Sequence, residues 1–223
     1  MNIIAARRAK PYRGIAMEGR IAAWYAKATG RNLAEFARLA ERLTAALPSG
    51  ASVLEVAPGP GFLAIELARR GGLEISGVDI SQSFVRIASE NAARAGVHVN
   101  FLHGDAAALP FGEAAFDFLV TRAAFKNFSD PLGALREFRR VLKPGGEALI
   151  IDMKKETTGQ AIDTEVAKMN LGSLDALATR ATLRLLRKRA YSRGEFARMA
   201  EAAGFSAYRI EEAPLGFEVR LVK

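Results

Sequence analysis

The chain has no cysteine among its 223 residues, which excludes disulfides, thiolate metal sites and a cysteine nucleophile. It has two histidines, His98 and His103, too few for a multi-histidine metal centre, so no metal is expected. No run reaches the roughly 18 apolar residues of a membrane span. The basic start MNIIAARRAKPYRG is not followed by the apolar core of an export signal. These absences point to a cytoplasmic protein without a membrane span. Internal repeats and low-complexity tracts are also missing.

Half of the residues are apolar, enough for one sizeable core in a single domain. The net charge of +8 suggests nucleic acid until it is mapped. Residues 1–50 carry nine Lys/Arg against three Glu, and residues 154–198 carry ten basic against five acidic residues. Residues 51–153 are mildly acidic, with ten basic and twelve acidic. The excess therefore belongs to two flanking segments, either as solvated helix faces or as attraction for an anionic substrate or surface.

Between about 51 and 153, short apolar runs alternate with longer helix-period runs, the pattern of βαβ units and a parallel sheet. Strands are expected at Ser52–Ala57, Leu73–Ile80, Val97–Leu102, Phe116–Thr121 and Glu147–Met153. Helices are expected at Phe62–Arg70, at Gln82–Ala95 behind an N-capping Ser81, and from Pro131 to Lys143 behind Asp130. Residues 156–190 read as basic helix, with Leu174, Leu177, Ala178, Ala181 and Leu185 on one face. Ser192-Arg-Gly-Glu195 is a capping-box signature for a helix to Ala203. Ser206–Glu212 and Phe217–Lys223 read as an antiparallel strand pair. Ahead of the sheet, residues 15–47 read as two helices divided near Thr29-Gly30. The expected organisation is an N-terminal helical lid (1–47), a ligand-binding core (48–155), a helical cap insertion (156–190), and a terminal helix with two strands (191–223).

The stretch LEVAPGPGFLA, Leu54–Ala64, parses in two ways. From Gly59 it is G-x-G-x-x-A, a permitted dinucleotide fingerprint; from Glu55 it is E-x-A-x-G-x-G. Both readings place a glycine-rich turn between a strand and a helix, and both find an acid about 20 residues on, Asp79, at the end of the second strand. Glu55 separates them. A pyrophosphate would meet its negative side chain, whereas a cationic ligand would be favoured. Pro58 and Pro60 also remove two backbone N–H groups that could grip phosphate oxygens.

VLEVAPGPGFLAIELA, GVDIS, GDAAALPF, FDFLVTRAAFKNFSDP and LKPGG followed by EALIID occur in that order. In this, the chain resembles the class I S-adenosylmethionine-dependent methyltransferases, in particular the type 11 methyltransferase domain typified by ubiquinone/menaquinone C-methyltransferases. The motifs cover about residues 50–155. The resemblance implies a Rossmann-like, doubly wound α/β fold: a seven-stranded sheet, parallel but for an antiparallel last strand, with helices on both faces. It implies S-adenosylmethionine as cofactor, with S-adenosylhomocysteine as product. Glu55 and the backbone of Ala57, Pro58, Gly59 and Gly61 would hold the methionine moiety. Asp79 would accept from the ribose hydroxyls and Ile80 would pack on the adenine. Asp105, after Gly104, would accept from the adenine amino group, with the Ala106 backbone against the ring. Arg122 and Ala123 would lie beneath the sulfonium.

Two departures stand out. Relatives favour glycine at Ala57, where a methyl is expected to require a negative φ. Many carry a histidine pair at Lys126-Asn127, so no histidine base is expected there.

Methyl transfer from a sulfonium needs alignment and exclusion of water more than acid–base chemistry. The candidates for such help are Lys126, Tyr191 and Tyr25. Trp24, in the N-terminal segment, offers an aromatic face to a sulfonium or an anchor to the core. His103 reads as the end of a strand. The expected partner is a small anionic or acidic molecule under a lid built by the basic segments. Oligomeric state is open between monomer and homodimer. RNA methylation and a non-catalytic S-adenosylmethionine-binding subunit remain alternatives, although the Asn/Asp-Pro-Pro-aromatic signature of nucleic-acid amino-methyltransferases is missing. The basic stripe over 174–189 reads as lid helix, with a membrane-surface helix as its rival.

Overall fold

The computed structural model describes residues 16–30 and 33–223. The basic residues of 1–15, and with them part of the expected N-terminal lid, lie outside that range. α1 (Gly19–Thr29) and α2 (Leu33–Ala46) precede the sheet. β1 (Ala51–Val56), α3 (Phe62–Arg70), β2 (Leu73–Asp79), α4 (Gln82–Ala95) and β3 (Asn100–His103) follow. The chain then crosses the sheet to β4 (Phe116–Arg122), α5 (Pro131–Val141) and β5 (Leu142–Met153). Two further helices, α6 (Gly159–Lys168) and α7 (Ser173–Arg187), lead to α8 (Arg193–Ala202), β6 (Ala207–Glu212) and β7 (Gly216–Val222).

The strands form one seven-stranded sheet in the order β3-β2-β1-β4-β5-β7-β6. Pairing from β3 to β5 is parallel, and β7 runs antiparallel to both its neighbours. This is the doubly wound fold expected. One core fills the face toward α5 and α8, with Phe138, Phe196 and Phe217 packed among Leu119, Leu135 and Ile150. A second fills the face toward α2 and α3 around Leu43, Val53, Leu63 and Leu67.

Local signals act as the sequence suggests. Ser81 accepts the Phe84 N–H at 3.0 Å, and Asp130 accepts the Gly133 N–H at 3.0 Å. Ser192 and Glu195 close a full capping box. Two strand starts differ by three residues or more. β3 begins at Asn100 rather than Val97, because Val97 still bonds back to Ala92 at the end of α4. β5 begins at Leu142 rather than Glu147: Leu142 pairs with Phe116, and Lys143–Gly146 are absorbed as an irregularity before Glu147 pairs with Phe118.

Two glycines set the distance between loop and sheet. Gly61, at φ +80°, would bring a Cβ 2.8 Å from the Phe101 ring and 2.9 Å from Ala88 Cβ. A Cβ on Gly77, opposite Glu55 in the β1–β2 register, would sit 2.6 Å from the same ring. Gly59 has a similar φ of +55° but open space where its Cβ would go. Gly61→Ala should therefore cost about 2–4 kcal/mol, from strain and overpacking together. Gly59→Ala should cost about 1 kcal/mol. Urea unfolding of both variants measures the contrast, and equal losses would mean that the close approach under Gly61 does not matter.

Candidate active site

β1 and β4 lie side by side, and the chain leaves them in opposite directions, toward β2 and toward β5. Open α/β sheets bind ligands in the crevice outside the carboxyl ends of strands at such a switch point. The loop Ala57–Gly61 forms one lip. Ala57 N–H donates to Val78 O at 2.7 Å, Gly59 N–H to Asp79 Oδ2 at 2.9 Å, and Gly61 N–H to Pro58 O at 3.0 Å. Pro58 and Pro60 have no N–H. Every backbone donor from Ala57 to Gly61 is thus used within the protein. The next helix is met from below, where Ala64 N–H in the first turn of α3 donates to Glu55 Oε2 at 2.9 Å. A diphosphate would find none of the loop donors it needs.

The expectation for Ala57 is overturned. It sits at φ +58°, in the left-handed region, although it carries a methyl. Its bond to Val78 and its packing against the larger core hold it there at a cost of about 1 kcal/mol. Ala123 repeats the arrangement on the other lip, at φ +58°, with its N–H on Ile151 O at 2.8 Å. Each alanine follows a central strand and bonds the adjacent one, so strained backbone frames both sides of the crevice.

Two carboxyls lie beneath. Asp79, 5% exposed, takes the Gly59 N–H on one oxygen and the Ser81 N–H on the other, both at 2.9 Å. Burial pushes it up to about 6, against these hydrogen bonds. Glu55, 4% exposed, is pushed by burial up to about 8, so without a ligand it holds its proton at neutral pH. This revises the sequence argument: Glu55 acts first as a neutral support for the loop and becomes an anion only when a cation compensates it. Tyr25 from α1 stacks edge-on against Phe84 and feels the charges of both Arg122 and Asp79; burial holds its hydroxyl above the usual phenol range. Arg122 pairs with Glu35 at 2.5 Å and lies 4.8 Å from the centroid of Phe36. On the far side of Asp79, Gly104 N–H donates to Asp79 O at 3.0 Å and Asp105 takes the Ala107 N–H at 2.9 Å. Ile80 and Ala106 are half-buried there, and His103 Nε2 lies 3.0 Å from Ile80 O.

With this geometry in place, residues 54–150 match a family model described as a methyltransferase domain. Over these residues the chain is similar to the methyltransferase domain. A demethylmenaquinone methyltransferase from Thermus thermophilus is 39% identical over 108 residues, 48% of this chain and 49% of that protein. The chain thus matches about half the length of its curated relatives. Among solved structures, a protein from Methanococcus maripaludis thought to be an S-adenosylmethionine-dependent methyltransferase superposes with TM-score 0.72 at 22% identity, over 96% of this chain and 97% of that one. The [4+2]-cyclase SpnF superposes with TM-score 0.59 at 28% identity, over 78% and 59%.

The structure places Glu55, Ala57–Gly61, Asp79, Ile80, Gly104–Ala106, Arg122 and Ala123 at the carboxyl ends of β1–β4, with Tyr25 of α1 near Arg122 and Asp79. Three other residues stand apart. Trp24 is 68% exposed, while its neighbours Ala22 and Tyr25 make the contacts with α4. Tyr191 is packed edge-on against Phe125 and Phe196 and pairs with Lys154. Lys126 is 4% exposed, its ammonium bonded to Asp152 Oδ1 at 2.7 Å and Ala123 O at 2.6 Å. Asp152 also accepts the Lys126 N–H. The ammonium offered to a substrate on sequence grounds is a strut beneath the β4 lip.

The sequence missed the residues that fasten α1 and α2 to the sheet and to α4. Ser81 donates its hydroxyl to Met17 O at 2.6 Å, Glu18 accepts the Ser83 N–H at 3.1 Å, and Gly19 N–H donates to Ser83 Oγ at 2.9 Å. These bonds clip the start of α1 onto α4 beside Asp79. Glu35, on the next helix, clips α2 to Arg122. No periodicity marks such contacts between distant segments.

Asp152→Ala should cost about 3–5 kcal/mol by stranding a buried ammonium, with much of the loss recovered in Lys126→Met/Asp152→Leu. A double-mutant cycle by chemical denaturation checks this, and additive losses would deny the strut. For Glu55, the folded-state value lies above the unfolded 4.5. Its contribution is therefore complete below pH about 4.5 and is lost as pH rises toward about 8. Relative to wild type, Glu55→Gln should gain stability progressively over that window. Melting curves of the two proteins that run parallel across it would place Glu55 in water rather than in the interior.

Proposed function

We propose that the chain binds S-adenosylmethionine at the β1–β4 switch point and transfers its methyl group to a small organic acceptor by in-line displacement. The observation that carries this reading is the loop Ala57–Gly61, whose donors are spent internally above two buried carboxyls. Such a site suits a ligand with hydroxyls and positive charge and no phosphate, and the residues present therefore fit this cofactor. When bound, it supplies a methyl on a sulfonium, a group activated for displacement before the protein acts.

The protein's own part is binding, alignment and exclusion of water. Asp79 has lone pairs beyond those taken by Gly59 and Ser81, and these would accept the ribose hydroxyls. Ile80, the Ala106 backbone and Asp105 would hold the adenine. Glu55 and the loop backbone would face the methionine portion, with Arg122 and Ala123 beneath it. α1 and α2, clipped at Ser81 and Arg122, would be the lid, with Tyr25 on its inner side. Burial keeps the Tyr25 hydroxyl protonated, so it would donate a hydrogen bond or relay a proton.

An acidic acceptor agrees with the basic flanks of the chain. The similarity to demethylmenaquinone methyltransferases makes a quinol-like ring the first acceptor class to try. Asp79→Ala should weaken S-adenosylhomocysteine binding about 10- to 100-fold, the worth of hydrogen bonds to a carboxylate. Titration calorimetry of wild type and variant with S-adenosylhomocysteine and NADH provides the measurement, followed by a screen of quinol, phenol and carboxylate acceptors. Unchanged affinity in the variant, or tighter binding of NADH, would overturn the reading.

A further inference from the structure

The apolar face read from the sequence on residues 174–185 does not pack on the described residues. α7 meets α6 through Ala176 and Leu183, which join Ile162 and Val166. The stripe Leu174, Leu177, Ala178, Ala181 and Leu185 points the other way, into solvent, with the three leucines 83%, 63% and 54% exposed. Met169 and Leu171, in the turn before α7, extend it at 48% and 40%. A contiguous exposed apolar stripe of this kind marks a surface that something covers.

Charge identifies the occupant. From Ala176 to Ala190 the chain carries Arg180, Arg184, Arg187, Lys188 and Arg189 and no acid. Arg180 and Arg184 reach Asp163 on the α6 side, and Arg187 holds Thr157 O, so the cations run along the edges of the stripe and along its end at Lys188. Leucines on the outer face with Arg and Lys along its margins form the pattern of a helix that lies in a membrane interface, its leucines in the acyl boundary and its cations among anionic headgroups. A second copy of the same face would set like charges against each other. The first 15 residues carry four basic residues and no acid, so charge does not favour them as a cover. A nucleic acid would satisfy the cations and leave the leucines in water.

We propose that the outer face of α7, with the α6–α7 turn, docks on an anionic lipid bilayer. The α6–α7 insertion leaves the sheet at Met153 and returns at Tyr191, which pairs with Lys154. It therefore rises from the carboxyl ends of the strands, the end at which the crevice opens, and docking would bring that end toward the lipid.

The full chain is tested by flotation with vesicles of phosphatidylcholine, with and without about 30% phosphatidylglycerol. The protein should float with the anionic vesicles, at least about tenfold less with neutral ones, and lose binding in about 0.5 M salt as the headgroup charge is screened. Leu174→Glu/Leu177→Glu should abolish flotation while S-adenosylhomocysteine affinity and the circular dichroism spectrum stay as in wild type. Failure of the wild type to float, or equal flotation of the variant, would overturn the proposal. So would a concentration-dependent dimer in light scattering that the two substitutions dissolve, which would give the face to a second copy. Loss of S-adenosylhomocysteine binding in the wild type, with flotation retained, would count against the catalytic reading and leave the docking face standing.

Discussion

The crevice depends on one buried carboxylate. Asp79 ends β2, yet its two oxygens hold backbone N–H groups on either side: Gly59 in the loop after β1, and Ser81 at the start of α4. Its own carbonyl takes Gly104 N–H from the end of β3. Three strand ends are therefore gauged against a single residue. Ser81 in turn caps α4 and reaches Met17 in front of α1, so the same anchor fixes the start of α1. Burial makes this arrangement costly for an ionised Asp79, and the two N–H donors are what offset the loss of water.

That economy also decides the ligand chemistry. Glycine-rich turns at the switch point serve phosphates when their amides face outward. Here the amides face inward, onto Val78, Asp79 and Pro58, and two positions are proline. The loop is left with no free amide and with open space over Gly59. Such a surface has little to offer an anion and no objection to a cation. Glu55 adds the conditional element, since a proton occupies it until a positive ligand takes the proton's place.

The fold was legible because its signals are local. Hydrophobic runs of strand length, the caps at Ser81, Asp130 and Ser192, and stops at Gly71 and Gly96 each act within a few residues, and α3 and α4 fall on the expected bounds. β5 was harder, because Pro144-Gly145-Gly146 reads as a break while the neighbouring strand β4 carries it through as an irregular extension. The candidate site was legible where a role belongs to the residue type at a strand end, as for Asp79 and Glu55. It was illegible where the role depends on what arrives from elsewhere. Lys126 looked free because Asp152 is 26 residues away, and only the β4–β5 pairing brings the two together. Ala57 looked as if it required negative φ, but the bond to β2 outweighs roughly 1 kcal/mol of strain.

The helix α7 shows a third kind of limit. Its sequence carries two apolar faces: a narrow one of Ala176 and Leu183, and a broader one of Leu174, Leu177, Ala178, Ala181 and Leu185. Periodicity ranks the broader face first, and in a helix packed on a core that ranking would hold. In a two-helix insertion with one packed side, the chain can bury only one of them. It buries Ala176 and Leu183 against Ile162 and Val166 of α6, and the leucines of the broader face stay exposed. An apolar period thus says that a face must be covered, while the partner that covers it is a property of the assembled fold.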